Sequence, residues 1–100
     1  MTKKITLTVN GGPIALDYFV EGFIHHTVSG MIEALEGTEP IRELRLSINE
    51  DKVDVQLNGK PVATNRFASK IIKSTVWGMI SPLKGVSDPK QVKLELTGSP

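Results

Sequence analysis

The sequence predicts an α+β domain built from two copies of one β-α-β unit, and two observations support this. Residues 4–50 align without a gap on residues 52–98, and 15 of the 47 aligned positions are identical, where unrelated sequences would share roughly three. Each copy also shows the same succession of an alternating apolar stretch, a stretch of helical periodicity and a second alternating stretch. A repeat of this length is one supersecondary unit, and two such units imply an internal two-fold axis.

Each copy begins with a predicted strand in which apolar and polar residues alternate, a period typical of a strand with one buried face. The dipeptide Asn-Gly follows at residues 10–11 and 58–59 and suits the positive φ angles of a tight type I′ turn. Residues 13–15 and 61–63 could then fold back as short extra strands, which their prolines would confine to the edges of the sheet. The inward residues of the first strands are Ile5, Leu7 and Val9, and Val53, Val55 and Leu57.

A helix is predicted next in each copy, from about Asp17 to Glu36 and from about Asn65 to Lys84. The first residue of each is a good N-cap, and Gly37 and Gly85 lie where a left-handed C-terminal cap is expected. Pro82 disfavours a helix interior, so the second helix is expected to kink or end near Ser81.

Apolar residues in both predicted helices recur at alternating spacings of three and one, which defines a single buried stripe. Gly30 and Gly78 flank this stripe in equivalent places, where glycine costs about 1 kcal/mol relative to alanine. Their matched placement predicts a close approach of the two helices. The stripe comprises Val20, Phe23, Ile24, Thr27, Val28, Met31, Ile32 and Leu35 in the first helix and Ala68, Ile71, Ile72, Thr75, Val76, Met79, Ile80 and Leu83 in the second.

A second alternating strand closes each copy, and residues 49–52 join the copies as a hairpin. With right-handed crossovers, the order β-α-β-β-α-β predicts a ferredoxin-like two-layer sandwich, with a four-stranded antiparallel sheet in the order 4-1-3-2 and both helices on one face. If residues 13–15 and 61–63 are strands, each unit becomes β-β-α-β and the sheet gains edges. No linker separates the copies, so residues 1–100 are predicted to form one domain.

The composition narrows the function classes. The 100 residues include no cysteine, which excludes disulfides, thiolate metal sites and a cysteine nucleophile. The first four residues lead into a strand without the apolar core of a signal peptide, and no segment approaches the ~18 apolar residues of a membrane span. A cytoplasmic location is expected. The net charge of +1 provides no overall attraction to nucleic acid or membrane.

No catalytic constellation, cofactor site or metal site is predicted. His25 and His26 are the only histidines, and adjacent helical residues point in different directions, so these two cannot hold a metal without further ligands. Their counterparts, Lys73 and Ser74, offer none. The predicted open face of the sheet has no aromatic residue on which RNA bases would stack, so nucleic-acid binding is not expected.

The two predicted helices carry opposite charge. Residues 17–37 sum to −4 and residues 65–85 to +4, and neither stretch holds a charge of the other sign. Charged helix faces are usually only solvated, but this polarisation favours an interaction surface. On a helical wheel Trp77 lies about 150° from the stripe centre, which predicts an outward position typical of an interface aromatic. The candidate binding residues are Tyr18, Glu21, His26 and Glu33 on the acidic helix and Arg66, Lys70, Lys73 and Trp77 on the basic one.

These observations favour a non-catalytic interaction or oligomerisation module. A homodimer formed through the helical layer would place the acidic helix of one copy against the basic helix of the other. Two alternatives stay open. One is a sensor domain in which the basic helix binds a small anionic ligand through Arg66, Lys70, Lys73 and Trp77. The other is an enzyme whose site is assembled at a subunit interface.

The half-unit of residues 53–85 contains the pattern V-x-L-N-G-K-P-V, followed by F, II, TV-x-GMI and LKG. In this it resembles a class of short uncharacterised prokaryotic proteins built on one such unit. The resemblance implies that single-unit relatives pair as homodimers and that this chain is the fused version. It implies no activity.

Overall fold

A computed structural model describes residues 3–36, 41–86 and 88–98 of the chain. Each half contributes two strands, a helix and a third strand, in the order β-β-α-β. The described elements form one six-stranded antiparallel sheet and two helices. They are β1 (Lys3–Val9), β2 (Gly12–Ile14), α1 (Tyr18–Glu36), β3 (Glu43–Asn49), β4 (Lys52–Leu57), β5 (Lys60–Val62), α2 (Arg66–Ile80) and β6 (Gln91–Gly98).

The Asn-Gly dipeptides form the predicted tight turns. Asn10 and Asn58 both have φ of 51°, and the glycines that follow them both have φ of 82°, as a type I′ turn requires. Each turn pairs a long first strand with a three-residue strand, β1 with β2 and β4 with β5. The extra strands considered at residues 13–15 and 61–63 are therefore present. Pro13 and Pro61 lie in the two outermost strands of the sheet, where a missing N–H costs no ladder bond.

The strand order differs from the predicted one. The sheet runs β2-β1-β6-β3-β4-β5, so the expectation of four strands in the order 4-1-3-2 is wrong. That order would place β1 and β4 in the centre, with both edges of each strand already paired. The two-residue turns instead oblige β1 to pair with β2 and β4 to pair with β5, which leaves each first strand only one free edge. The last strands of the repeats, β3 and β6, therefore take the centre.

The burial of the side chains agrees with this strand order, because the two central strands are buried most completely. The inward residues of β3 and β6 are all at most 2% exposed, whereas Ile5 on β1 and Val53 on β4 are only half-buried. One inward row crosses the sheet through Leu7, Leu94, Leu46 and Val55. Both helices pack their buried residues on this face in a single apolar cluster. The opposite face of the sheet, which no helix covers, holds the polar residues of each strand.

Asn10 and Asn58 also hold the two repeats together. The Asn10 side chain accepts hydrogen bonds from the backbone N–H groups of Lys90 and Gln91 at 2.8 and 3.0 Å, at the start of β6. In the same way, Asn58 accepts from the N–H groups of Arg42 and Glu43 at 2.9 and 3.0 Å, at the start of β3. Each turn of one repeat thus fixes the beginning of the central strand that belongs to the other repeat.

The predicted helix starts are confirmed. Asp17 accepts a hydrogen bond from the N–H of Val20 at 2.8 Å, and Asn65 accepts one from the N–H of Ala68 at 2.7 Å, so both are N-caps. The second helix ends at Ile80, in agreement with the early end expected before Pro82. Gly85 has φ of +92° but lies beyond the helix end, in the turn that follows it. Gly37 lies outside the described residues.

The buried stripe of each helix is narrower than predicted. Only one row per helix is buried, namely Ile24, Val28 and Ile32 on α1 and Ala68, Ile72, Val76 and Ile80 on α2. Each helix lies on the sheet and makes few contacts with the other helix. Less of its circumference is therefore covered than in a helix enclosed on several sides. The stripe residues Phe23, Leu35 and Ile71 are consequently exposed.

The predicted close approach at Gly30 and Gly78 is wrong. A Cβ atom added to either glycine would meet no atom within 4 Å, apart from neighbouring backbone of the same helix. Both positions are exposed. Neither glycine is required by helix–helix packing within one chain.

Candidate interaction surface on the helical layer

Four of the five aromatic residues of this chain lie exposed on its surface. The sequence has three phenylalanines, one tyrosine and one tryptophan, and every described residue of the buried core is aliphatic. Tyr18 is 92% exposed, Phe19 73%, Phe67 70% and Phe23 52%. Aromatic side chains usually dominate cores and interfaces because of the large area they bury. The exclusion of Tyr18 and the three phenylalanines from this core indicates that they serve a surface.

The exposed residues occupy equivalent positions in the two repeats. Phe19 and Phe23 lie one turn apart on α1, with ring centroids separated by 6.1 Å. Their counterparts, Phe67 and Ile71, lie one turn apart on α2 and are 70% and 43% exposed. We call Tyr18, Phe19 and Phe23 the α1 patch, and Phe67 with Ile71 the α2 patch. Each helix therefore presents an apolar pair at its N-terminal half.

A groove of about 660 Å³ accompanies the α1 patch. Gly22 leaves space there, because a Cβ atom at this position would find nothing within 4 Å. Among the described lining residues, Glu21 alone carries a formal charge. The groove is lined by Ile5 of β1 and by Tyr18, Phe19, Glu21, Gly22, Phe23, His25, His26 and Thr27 of α1.

The two repeats differ at this groove. On α2 the position of Gly22 is occupied by Lys70, that of Glu21 by Ser69 and that of Tyr18 by Arg66. The apolar pair is kept, while its surroundings change from a groove with one carboxylate to a surface with two exposed cations. One helix therefore has an opening where the other has long basic side chains.

The structure distributes the predicted binding residues unevenly. Tyr18, Glu21 and His26 line the groove. Glu33 is exposed farther along α1 and is not among the lining residues. On α2, exposed Arg66 and Lys70 flank the apolar pair.

Lys73 and Trp77 are engaged within the chain. The Lys73 Nζ donates to Asp51 Oδ1 at 2.6 Å and lies 5.8 Å from the centroid of the Trp77 ring. The hydrogen bond and the charge of Lys73 lower the pKa of the Asp51 carboxyl. The outward position predicted for Trp77 is wrong, since the indole is half-buried against the core. A helical wheel places Cα atoms only, and a large side chain leans over the preceding turn.

The two histidines stack edge to face, with ring centroids 5.4 Å apart. His25 is half-buried, and His26 is exposed. Across the part of the chain that the structure describes, no group of three or more histidine or acidic side chains is placed to hold a metal ion.

The open face of the sheet has a mixed polar character. Arg45 lies 3.1 Å from Glu43 and 3.9 Å from Glu95, and these exposed pairs contribute little to stability. The expectation that nucleic acid is not bound stays a prediction. Neither described helix has the length and apolar character needed to span a membrane, and the cytoplasmic location also stays a prediction.

The role of the phenylalanines was missed from the sequence, although a signal was present. Phe19 and Phe67 are identical in the two repeats yet lie outside the predicted apolar stripe. A large apolar residue that both repeats keep away from the core indicates a shared surface.

No protein-family model, curated protein or solved structure matches this chain. The function is therefore inferred from the surface of the chain itself.

Proposed function

We propose that this protein is a non-catalytic self-association module that forms a homodimer through its helical layer. The observation that carries this proposal is the matched pair of exposed apolar patches on α1 and α2, which expose three phenylalanines in a chain of 100 residues. Contiguous exposed apolar residues with polar surroundings mark interaction sites. Covering them in a second copy removes the cost of exposing them to water.

Charge selects the orientation of the second copy. Exchanging the two repeats leaves the strand order of the sheet unchanged when it is read from the other end. The helical layer of a second copy can therefore pack on the first in two similar ways. Either α1 packs on α1 and α2 on α2, or α1 of each copy packs on α2 of the other. Like helices would bring residues of the same sign together, whereas α1 on α2 pairs the three glutamates of α1 with the three cations of α2. The second arrangement is a closed two-fold dimer that satisfies both helices at once.

The apolar residues and the charges contribute differently. Burial of phenylalanine side chains supplies most of the affinity, about 1.5–3 kcal/mol for each one fully buried. The opposite charges steer encounter and set the register. Their contribution falls with salt, because the screening length decreases from about 10 Å at 0.1 M to about 3 Å at 1 M.

Sedimentation velocity over a wide concentration range, at low and at high salt, tests this proposal. A dimer is expected at low salt, with association weakened at high salt but retained at higher protein concentration. A monomer at every concentration and ionic strength would contradict the proposal.

The alternative of a small anionic ligand on α2 is less well supported. Two of its four residues, Lys73 and Trp77, are already engaged with Asp51 and with the core. Of the four residues, only Arg66 and Lys70 are exposed.

A further inference from the structure

We infer that the groove beside α1 is the receiving site for the α2 patch of a second copy, with Phe67 inserted between the walls that Phe19 and Phe23 provide. This inference rests on the proposed dimer and specifies its contact. Two such contacts form per dimer, one at each groove.

The shapes of the two helices assign the roles. Phe19 and Phe23 line the groove. They therefore form its walls and do not insert into the groove of the second copy. Gly22 keeps the groove open. Its volume of about 660 Å³ lies within the range of roughly 300–1,000 Å³ in which clefts bury whole small ligands. The groove therefore has room for Phe67 together with Ile71.

The charges assign the same roles. Among the residues that the structure describes, the groove lining holds one carboxylate, Glu21, and no lysine or arginine. The α2 patch is flanked by Arg66 and Lys70, both exposed. When the patch enters the groove, a cation can approach Glu21 at the rim, where charge pairs set orientation. A second α1 patch would instead bring Glu21 against Glu21.

Cysteine crosslinking tests this contact, and the natural chain has no cysteine to interfere. Gly22→Cys and Ile71→Cys are made as separate variants, both of which keep Phe67, Arg66 and Lys70. Each variant on its own, and a mixture of the two, is treated with a short bis-maleimide. A covalent dimer is expected in the mixture and not in either variant alone. A mixture of Gly22→Cys with Gln56→Cys, on the exposed polar face of the sheet, is the matched control and is expected to stay uncrosslinked.

The outcomes separate this inference from the proposed function. Crosslinking of Gly22→Cys with itself would place α1 on α1 and overturn the inference. If the mixture of variants sediments as dimers but forms no crosslink, the inferred contact is also overturned, whereas the proposed self-association is retained. Absence of dimers in the unmodified protein would overturn both.

A second variant tests the opening directly. Gly22→Lys installs the residue that the second repeat has at the equivalent position, and it is expected to weaken association at least tenfold. Gly30→Lys, at an exposed glycine of α1 that does not line the groove, is the matched control and is expected to associate as the natural protein does. Lysine favours helix more than glycine, so neither variant is expected to lower the melting temperature. Natural association of Gly22→Lys would overturn the inference.

Discussion

The double variant Asn10→Ala/Asn58→Ala is expected to have a free energy of unfolding about 4 kcal/mol lower than that of the natural chain. This is a large share of the ~5–15 kcal/mol that stabilises a domain. Each substitution removes the acceptor for two backbone N–H groups at the start of a central strand, at a net cost of about 1 kcal/mol per bond. Each also forces alanine into a left-handed conformation. Partial exposure lets water replace part of the loss. Urea unfolding measures the difference.

Two further pairs of substitutions separate these contributions. Asn→Gly at both positions keeps the positive φ angles but not the acceptors, so it is expected to cost less than Asn→Ala. Asn→Asp keeps an acceptor oxygen and tolerates the same backbone, and it is expected to cost least. An alanine variant as stable as the natural chain would show that the two turns do not hold the repeats together.

Leu94→Ala is expected to destabilise the fold by about 3–4 kcal/mol, because it opens a cavity in the centre of the sheet. Leu94 is 1% exposed on β6 and pairs with Leu46 on one side and Leu7 on the other. Ile5→Ala removes the same number of atoms from β1, where the side chain is only half-buried. It is expected to cost about 1–2 kcal/mol, since less area is lost from the core.

This pair of variants reports the strand order. In the order 4-1-3-2, β1 would be central and Ile5 fully enclosed. A larger loss of stability for Ile5→Ala than for Leu94→Ala, measured by urea unfolding, would therefore contradict the arrangement with β3 and β6 in the centre.

Local structure was predictable because short-range rules govern it. The Asn-Gly turns, the N-caps Asp17 and Asn65 and the helix end before Pro82 each depend on a few neighbouring residues. Alternation located the long strands for the same reason.

The strand order could not be obtained in this way. Right-handed crossovers and a central hairpin permit both orders, and the three-residue strands that decide between them are too short to show a periodicity. Their prolines allow an edge strand but do not require one.

The charge of the helical surface could be predicted from the sequence, but the exposure of its apolar side chains could not. Formal charge follows directly from the sequence, whereas the exposure of Phe23 and Ile71 depends on how far each helix is covered. Trp77 was misplaced because its side chain reaches back to the core. The identity of Phe19 and Phe67, which lie outside the stripe in both repeats, was the sequence signal for this apolar surface.

The helical layer as a dimer interface is tested most directly by sedimentation equilibrium of the natural chain and of Phe19→Ser/Phe67→Ser. Both side chains are more than two-thirds exposed, so the variant is expected to keep its melting temperature at concentrations where both proteins are monomeric. The natural chain is expected to dimerise and the variant to stay monomeric, while Leu35→Ser, an exposed control outside the groove, dimerises as before. Equal association of the double variant and the natural chain would contradict the account.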